Sequence, residues 1–217
     1  MTFIAIAGNI AAGKTTLGRI IGKKLEFKLH EEPINPETLS AFYKDIENNV
    51  KPSERAFLFQ KSFLGLRTAV MADAQMTGRN CIQDRTVFED RYVFAESLHN
   101  QGFISDEKFN IYCSLYTLQM TDLKHPDLLV YLDAPIEKLR ERINKRGRIS
   151  EISLIDPNNK YLEHLDELYK KMMSKYEGTS IHIDTKELDL ESNFSDQEYV
   201  SNLISGFLKY RLQNVKK

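Results

Sequence analysis

Gly8-Asn9-Ile10-Ala11-Ala12-Gly13-Lys14-Thr15 decides the fold. The stretch matches GxxxxGK[ST] in full, and its flanks are the ones that pattern needs. Before it, the apolar run Phe3 to Ala7 reads as a strand. After it, Lys14 to Leu25 reads as a helix, with Leu17, Ile20, Ile21 and Leu25 on one side. Such a loop wraps phosphate groups with backbone N–H donors, and the helix N-terminus adds a positive dipole end. Gly8 and Gly13 allow conformations and close approach that a Cβ would obstruct. Lys14 brings a point charge to the β- and γ-phosphates, and Thr15 brings a hydroxyl to Mg2+. The motif implies nucleotide binding without naming the reaction.

Outward from the loop, strands alternate with helices. Phe27 to His30, Asn80 to Gln83, Asp127 to Asp133 and Thr179 to Ile183 read as further strands. The almost unbroken apolar run Asp127 to Asp133 marks a strand covered on both faces. Helices are predicted at about 36–48, 52–76, 86–100, 105–122, 135–145, 161–176 and 196–210, several of them opened by a proline. The pattern predicts an α/β fold: a five-stranded parallel sheet with helices on both faces.

Composition narrows the class. The 217 residues carry 30 Lys+Arg against 31 Asp+Glu, with 41% apolar residues, and show no repeat or Pro/Gly/Ser-rich linker. That predicts one globular domain. Balanced charge argues against nucleic acid as a partner and against polybasic membrane attachment. No apolar run approaches the ~18 residues of a membrane span, and the N-terminus lacks a signal-peptide pattern. Cys81 and Cys113 have no metal-ligand spacing, which suits a reducing, cytoplasmic compartment.

Charged residues gather at the predicted strand ends, where ligands of open α/β sheets bind. Glu31-Glu32-Pro33 closes the second strand, and Pro33 forces an extended backbone at Glu32. A carboxylate there can accept a proton from a hydroxyl attacking a γ-phosphate. Asp84-Arg85-Thr86 closes the third strand; the Asp can hold Mg2+ and the Arg can clamp phosphate or orient a carboxylate. Arg142, Lys145, Arg146 and Arg148 cluster around Gly147, a basic loop suited to a lid. In the apolar helix 52–76, Gln60 and Arg67 stand seven residues apart, hence on one face. With Asp90 and Phe94 of the next helix they form either a reader of a base edge or an ordinary Arg67–Asp90 ion pair.

Taken in order, these features resemble the deoxyribonucleoside kinases. The motifs are the phosphate loop, Glu32-Pro33, Phe59-Gln60, Arg67, Asp84-Arg85-Thr86, Asp90-Arg91-Tyr92 with Phe94, and Arg146-Gly147-Arg148 with Glu151. The resemblance spans the chain. It implies a P-loop kinase fold in one domain, 1–217, with a lid at about 142–156. It also implies that Glu32 is the general base on the 5′-hydroxyl, with Arg85 and Lys14 completing the catalytic set. ATP would lie on Gly8, Asn9, Ala11, Ala12, Gly13, Lys14, Thr15 and Thr16, under Arg142, Arg146 and Arg148. Mg2+ would sit at Thr15 and Asp84. Tyr43 and Glu151 would bind the ribose 3′-hydroxyl, Gln60, Arg67 and Asp90 would read the base beside Phe59, and Phe94 would stack on it. A homodimer is implied as well.

The polar Arg67–Asp90 pair disfavours a thymine methyl, so the expected substrates are deoxyadenosine, deoxyguanosine or deoxycytidine. The stretch from Arg146 through Glu151 to Asp156-Pro157 and Tyr161 resembles the bacterial deoxyadenosine/deoxyguanosine kinases, which implies a purine. Two alternatives stand beside this reading. One is a nucleoside monophosphate kinase of the thymidylate kinase type, although Glu31-Glu32-Pro33 would repel a monophosphate. The other is a nucleotide-binding regulatory subunit with little catalysis of its own.

Overall fold

Apolar runs that do not alternate must be covered on both faces, and the central strands meet that condition. The computed structural model describes residues 1–31 and 36–214. All six residues of β1 (Phe3–Gly8) are buried, as are the first five of β4 (Leu128–Asp133). On either side of this pair run β2 (Lys28–His30), β3 (Cys81–Asp84) and β5 (Ser180–Asp184). The five strands pair in parallel in the order β2-β3-β1-β4-β5. After β1 the chain passes to the edge strand β2, comes back to β3 beside β1, and then crosses to β4 and β5 on the other side. β1 is therefore the switch point where a ligand crevice opens at the carboxyl edge. Ile6 pairs with Asp84 and Gly8 with Leu132, which sets the ends of β1, β3 and β4 side by side.

Helices cover the sheet: α1 (Lys14–Leu25), α2 (Pro36–Glu47), α3 (Glu54–Thr77), α4 (Val87–Glu89), α5 (Ala95–Asn100), α6 (Asp106–Met120), α7 (Ile136–Arg146), α8 (Tyr161–Ser174) and α9 (Phe194–Asn214). Leu17 and Ile21 of α1 are fully buried on one side of that helix. Each such side chain stabilises the fold by roughly 1.5–3 kcal/mol. Helix α3 starts two residues later than Pro52 because Ser53 is its cap; the Ser53 hydroxyl accepts from Ala56 N at 3.1 Å.

Three expectations need correction. The helix expected over 86–100 is not regular: Asp90–Phe94 is a π-helical turn between α4 and α5. Its wider turn changes the simple i, i+4 relation between Asp90 and Phe94. The basic cluster does not lie in a loop beyond a helix. Arg142, Lys145 and Arg146 belong to the last turns of α7, where cations suit the negative end of the dipole, and Gly147 ends the helix at φ 64°. Ile149–Ile155 then forms a 3-10 segment that periodicity did not reveal.

Candidate active site

The crevice at the carboxyl edge is a cavity of about 680 Å³. Its floor is the loop between β1 and α1. Gly8 has φ 147°, and a Cβ there would collide with the Leu132 carbonyl of β4. Gly13 has φ 100° at the start of α1. Both conformations are ones that a side chain resists. Ala11, Ala12, Gly13, Lys14, Thr15 and Thr16 line the cavity. Asn9 does not. Its side chain turns away, donating to Leu162 O at 3.0 Å and accepting from Ile10 N at 2.8 Å, so it ties the loop to α8. Lys14 Nζ rests on the carbonyls of Gly8 and Asn9 at 2.8 and 2.7 Å.

The end of β3 meets this floor. The Thr15 hydroxyl donates to Asp84 Oδ2. Asp84 Oδ1 is buried without a hydrogen-bond partner among the described residues. A buried carboxylate oxygen left over beside a hydroxyl is a donor set of hard oxygens, which fits Mg2+ held by few protein ligands. Arg85 adopts φ 71°, a left-handed conformation uncommon outside glycine, with its N–H on Ile6 O at 2.9 Å. Its guanidinium lies 4.8 Å over the Phe94 ring. Glu32 lies outside the described residues. Its neighbour Glu31 forms a two-pronged pair with Arg19 at 2.7 and 2.8 Å, on the rim of the cavity.

The apolar end of the cavity is built by α2 and α3. Phe59 stacks on Phe42 at 4.5 Å, and Phe63 meets Phe59 edge-on at 4.7 Å. Gln60 and Arg67 share the wall, as their spacing requires, and both are buried. Arg67 pairs with Asp90 and lies 4.7 Å over the Phe63 ring. Tyr43 and Phe94 line the same space.

The side formed by the end of α7 and the 3-10 segment, where a lid is expected, is partly committed to internal contacts. Arg146 and Arg148 both pair with Glu151, which is only 5% exposed. Arg142 donates to Thr185 Oγ1 at 3.0 Å, Thr185 O at 2.6 Å and Leu188 O at 3.1 Å. Burial lowers its pKa from the ordinary guanidinium value. It therefore anchors the segment after β5, whose residues Leu188 to Glu191 also line the cavity. The composition of that acidic segment suggests a solvated loop, and nothing in it marks a wall of the site.

Two further residues were also not read from the sequence. Glu89 is fully buried and accepts from Thr86 N at 2.7 Å, Arg85 Nη1 at 3.2 Å and Gly8 N at 3.3 Å. Tyr169 of α8, also fully buried, sets its hydroxyl 2.7 Å from Glu89 Oε1 and 2.8 Å from Gly8 O. Thr86-x-x-Glu89 is a capping box, and that signal was legible. Tyr169 stands 161 residues from Gly8, and no local signal joins them.

Comparison with known proteins agrees with this geometry. The family model described as deoxynucleoside kinase matches residues 4–209. The chain is 34% identical over 206 residues to a deoxyadenosine kinase of Dictyostelium discoideum, covering 94% of this chain and 78% of that one. It is 33% identical over 218 residues to a deoxyguanosine kinase of Lactobacillus johnsonii, covering 96% and 93%. The solved structure of deoxyadenosine kinase from M. mycoides with bound dATP matches with a TM-score of 0.75 at 29% identity, covering 94% of this chain and 100% of that one. The phosphate loop, the strand-end carboxylates and these matches agree on one conclusion: the chain belongs to the deoxynucleoside kinase family.

Proposed function

We propose that this phosphotransferase moves the γ-phosphate of ATP to the 5′-hydroxyl of deoxyadenosine, deoxyguanosine or deoxycytidine in preference to thymidine. The observation that carries the reading is the buried Arg67–Asp90 pair beside Gln60 at the aromatic end of a cavity whose other end is the phosphate loop. A base fits the first end and a triphosphate the second. Among relatives, the names deoxyadenosine kinase and deoxyguanosine kinase favour a purine.

The roles rest on the family resemblance, and for the described residues their place in the cavity supports them. Glu32 takes the proton of the 5′-hydroxyl as its oxygen attacks the γ-phosphorus, and ADP leaves on the opposite side. Arg85 steadies the attacking end. Lys14 and the loop N–H groups hold the donor phosphates, with Arg146 and Arg148 reaching them from the lid. Thr15 and Asp84 would hold Mg2+, which would supply positive charge to offset that of the donor phosphates. Tyr43 and Glu151 flank the ribose, and Phe59 and Phe94 flank the base. Arg142 holds the 185–188 segment against the donor side, a different task from that of a mobile lid cation.

A homodimer is supported by apolar side chains left on two packed helices: Leu58 and Leu66 of α3, Ile111 and Leu118 of α6. Among the described residues no helix is long and apolar enough to cross a membrane, and cytoplasmic placement is part of the proposal.

A panel of the four deoxynucleosides and their monophosphates with Mg-ATP tests this. Turnover of deoxyadenosine, deoxyguanosine or deoxycytidine is expected. Turnover of monophosphates alone would support the thymidylate-kinase-type alternative, and none at all would support a regulatory subunit.

A further inference from the structure

The carbonyl oxygen of Gly8 has more donors than it can serve well. Lys14 Nζ stands 2.8 Å away, the Tyr169 hydroxyl 2.8 Å and Arg85 Nη1 3.3 Å. A carbonyl offers two lone pairs. The Tyr169 hydroxyl has the opposite imbalance, one proton and two acceptors, Gly8 O at 2.8 Å and Glu89 Oε1 at 2.7 Å. It also accepts from Arg85 Nη1 at 3.1 Å. The proton therefore has two settings. Toward Glu89, it leaves the Gly8 carbonyl to Lys14 and to the longer, shared contact from Arg85 Nη1. Toward Gly8, it covers that carbonyl itself, and Glu89 Oε1 keeps Arg85 Nη1 at 3.2 Å and Gly8 N at 3.3 Å. Rotation about one C–O bond exchanges the two settings.

We propose that Tyr169 is a positioning residue for donor binding: its hydroxyl takes over the Gly8 carbonyl when Lys14 leaves that oxygen for the phosphates. This deepens the reading of Lys14 as a donor-phosphate cation and rests on it. The cost it removes is real, because without Lys14 the buried carbonyl keeps only the Arg85 Nη1 contact at 3.3 Å, which that nitrogen shares with Glu89 at 3.2 Å and Tyr169 at 3.1 Å. The second carbonyl that Lys14 leaves, Asn9 O, needs no such help, since Ala12 N also donates to it at 3.2 Å. Burial, and then the charge of Glu89, hold the phenol well above its usual range, so it remains a donor throughout the working pH. The ring is held by Tyr131 at 5.9 Å and Phe94 at 6.4 Å, so the hydroxyl acts from a fixed place.

The test is a double-mutant cycle on the full chain, read as the ATP dissociation constant by calorimetry with Mg2+ and no deoxynucleoside. Tyr169→Phe is expected to weaken ATP about tenfold, the scale of one hydrogen bond, while the deoxynucleoside KM stays within about twofold. In a Lys14→Ala background the same change should cost nothing further, because no lysine remains to be released. An equal loss in both backgrounds, or no loss in the first, overturns the proposal. Lys14→Ala leaving ATP affinity untouched would instead defeat the reading of Lys14 itself. Should the phenylalanine variant fail to fold, Glu89→Gln provides the check. It weakens the competing acceptor, turns the hydroxyl toward Gly8, and should bind ATP at least as tightly as the parent. Weaker binding there overturns the proposal.

Discussion

Arg67 and Asp90, 23 residues apart in sequence, form an ion pair whose side chains are 3% and 1% exposed in the wall of the cavity, where the base is proposed to lie. Two charges so placed stabilise one another only as a pair. Asp90→Val alone should cost about 3–5 kcal/mol in urea unfolding, since it leaves the guanidinium buried without its carboxylate. Adding Arg67→Leu should recover most of that loss, and should raise thymidine turnover relative to deoxyadenosine. A double variant as unstable as the sum of the singles would show that the pair is not the unit.

Glu31 and Glu32 are adjacent but should behave differently. Glu31 is engaged by Arg19 on the rim, and that hydrogen bond lowers its pKa below the ordinary 4.5. Glu32→Gln should cut kcat at least ~100-fold, the scale of losing a general base. Glu31→Gln should leave kcat within about threefold, as for an exposed surface pair. Equal losses in steady-state kinetics would remove Glu32 from its role.

Asp84→Asn tests the metal assignment. The orphaned Oδ1 and the Thr15 bond predict that the change raises the half-saturating Mg2+ concentration by about 10–100-fold, the range for losing a metal-positioning group. A titration of activity against Mg2+ at saturating ATP reads this directly. An unchanged midpoint would mean that Asp84 does not serve the ion.

Stability should fall with acid in two steps. Burial, and then the Lys28 charge, lower His30 from its ordinary 6.5. The unfolded chain therefore binds that proton first. The His30 contribution is complete above pH 6.5 and is lost as pH falls from there through the folded value. Glu31 and Glu96 are lowered from 4.5, Glu31 by its bond to Arg19; for Glu96, burial acts in the opposite direction, but the bonds from Lys171 and Arg91 outweigh it. Their contribution persists until pH falls below 4.5. Urea midpoints across pH should show both steps, and His30→Gln should remove only the upper one.

The strands, their parallel sense and the phosphate loop were legible in the sequence because each rests on local rules. Unbroken apolar runs need two covered faces, and a glycine-bounded loop before a helix binds phosphate through backbone. The spacing of Gln60 and Arg67 was enough to predict a shared face, and they share one. Thr86-x-x-Glu89 announced a cap, but not the donors from Gly8 and Arg85 that the same carboxylate receives.

What only the tertiary structure decided lies where distant segments meet. The π-helical turn at Asp90–Phe94 is invisible to a periodic pattern. Arg142 looked like a lid cation in a basic run, and the acceptors that engage it come from Thr185 and Leu188, across β5. Tyr169 is a core residue, fully buried, but α8 brings its one side-chain polar atom within hydrogen-bond distance of the Gly8 carbonyl. The physical reason is the same each time. Local sequence determines which face a side chain takes, whereas the partner of a buried polar atom is set by whichever chain segment the fold packs against it.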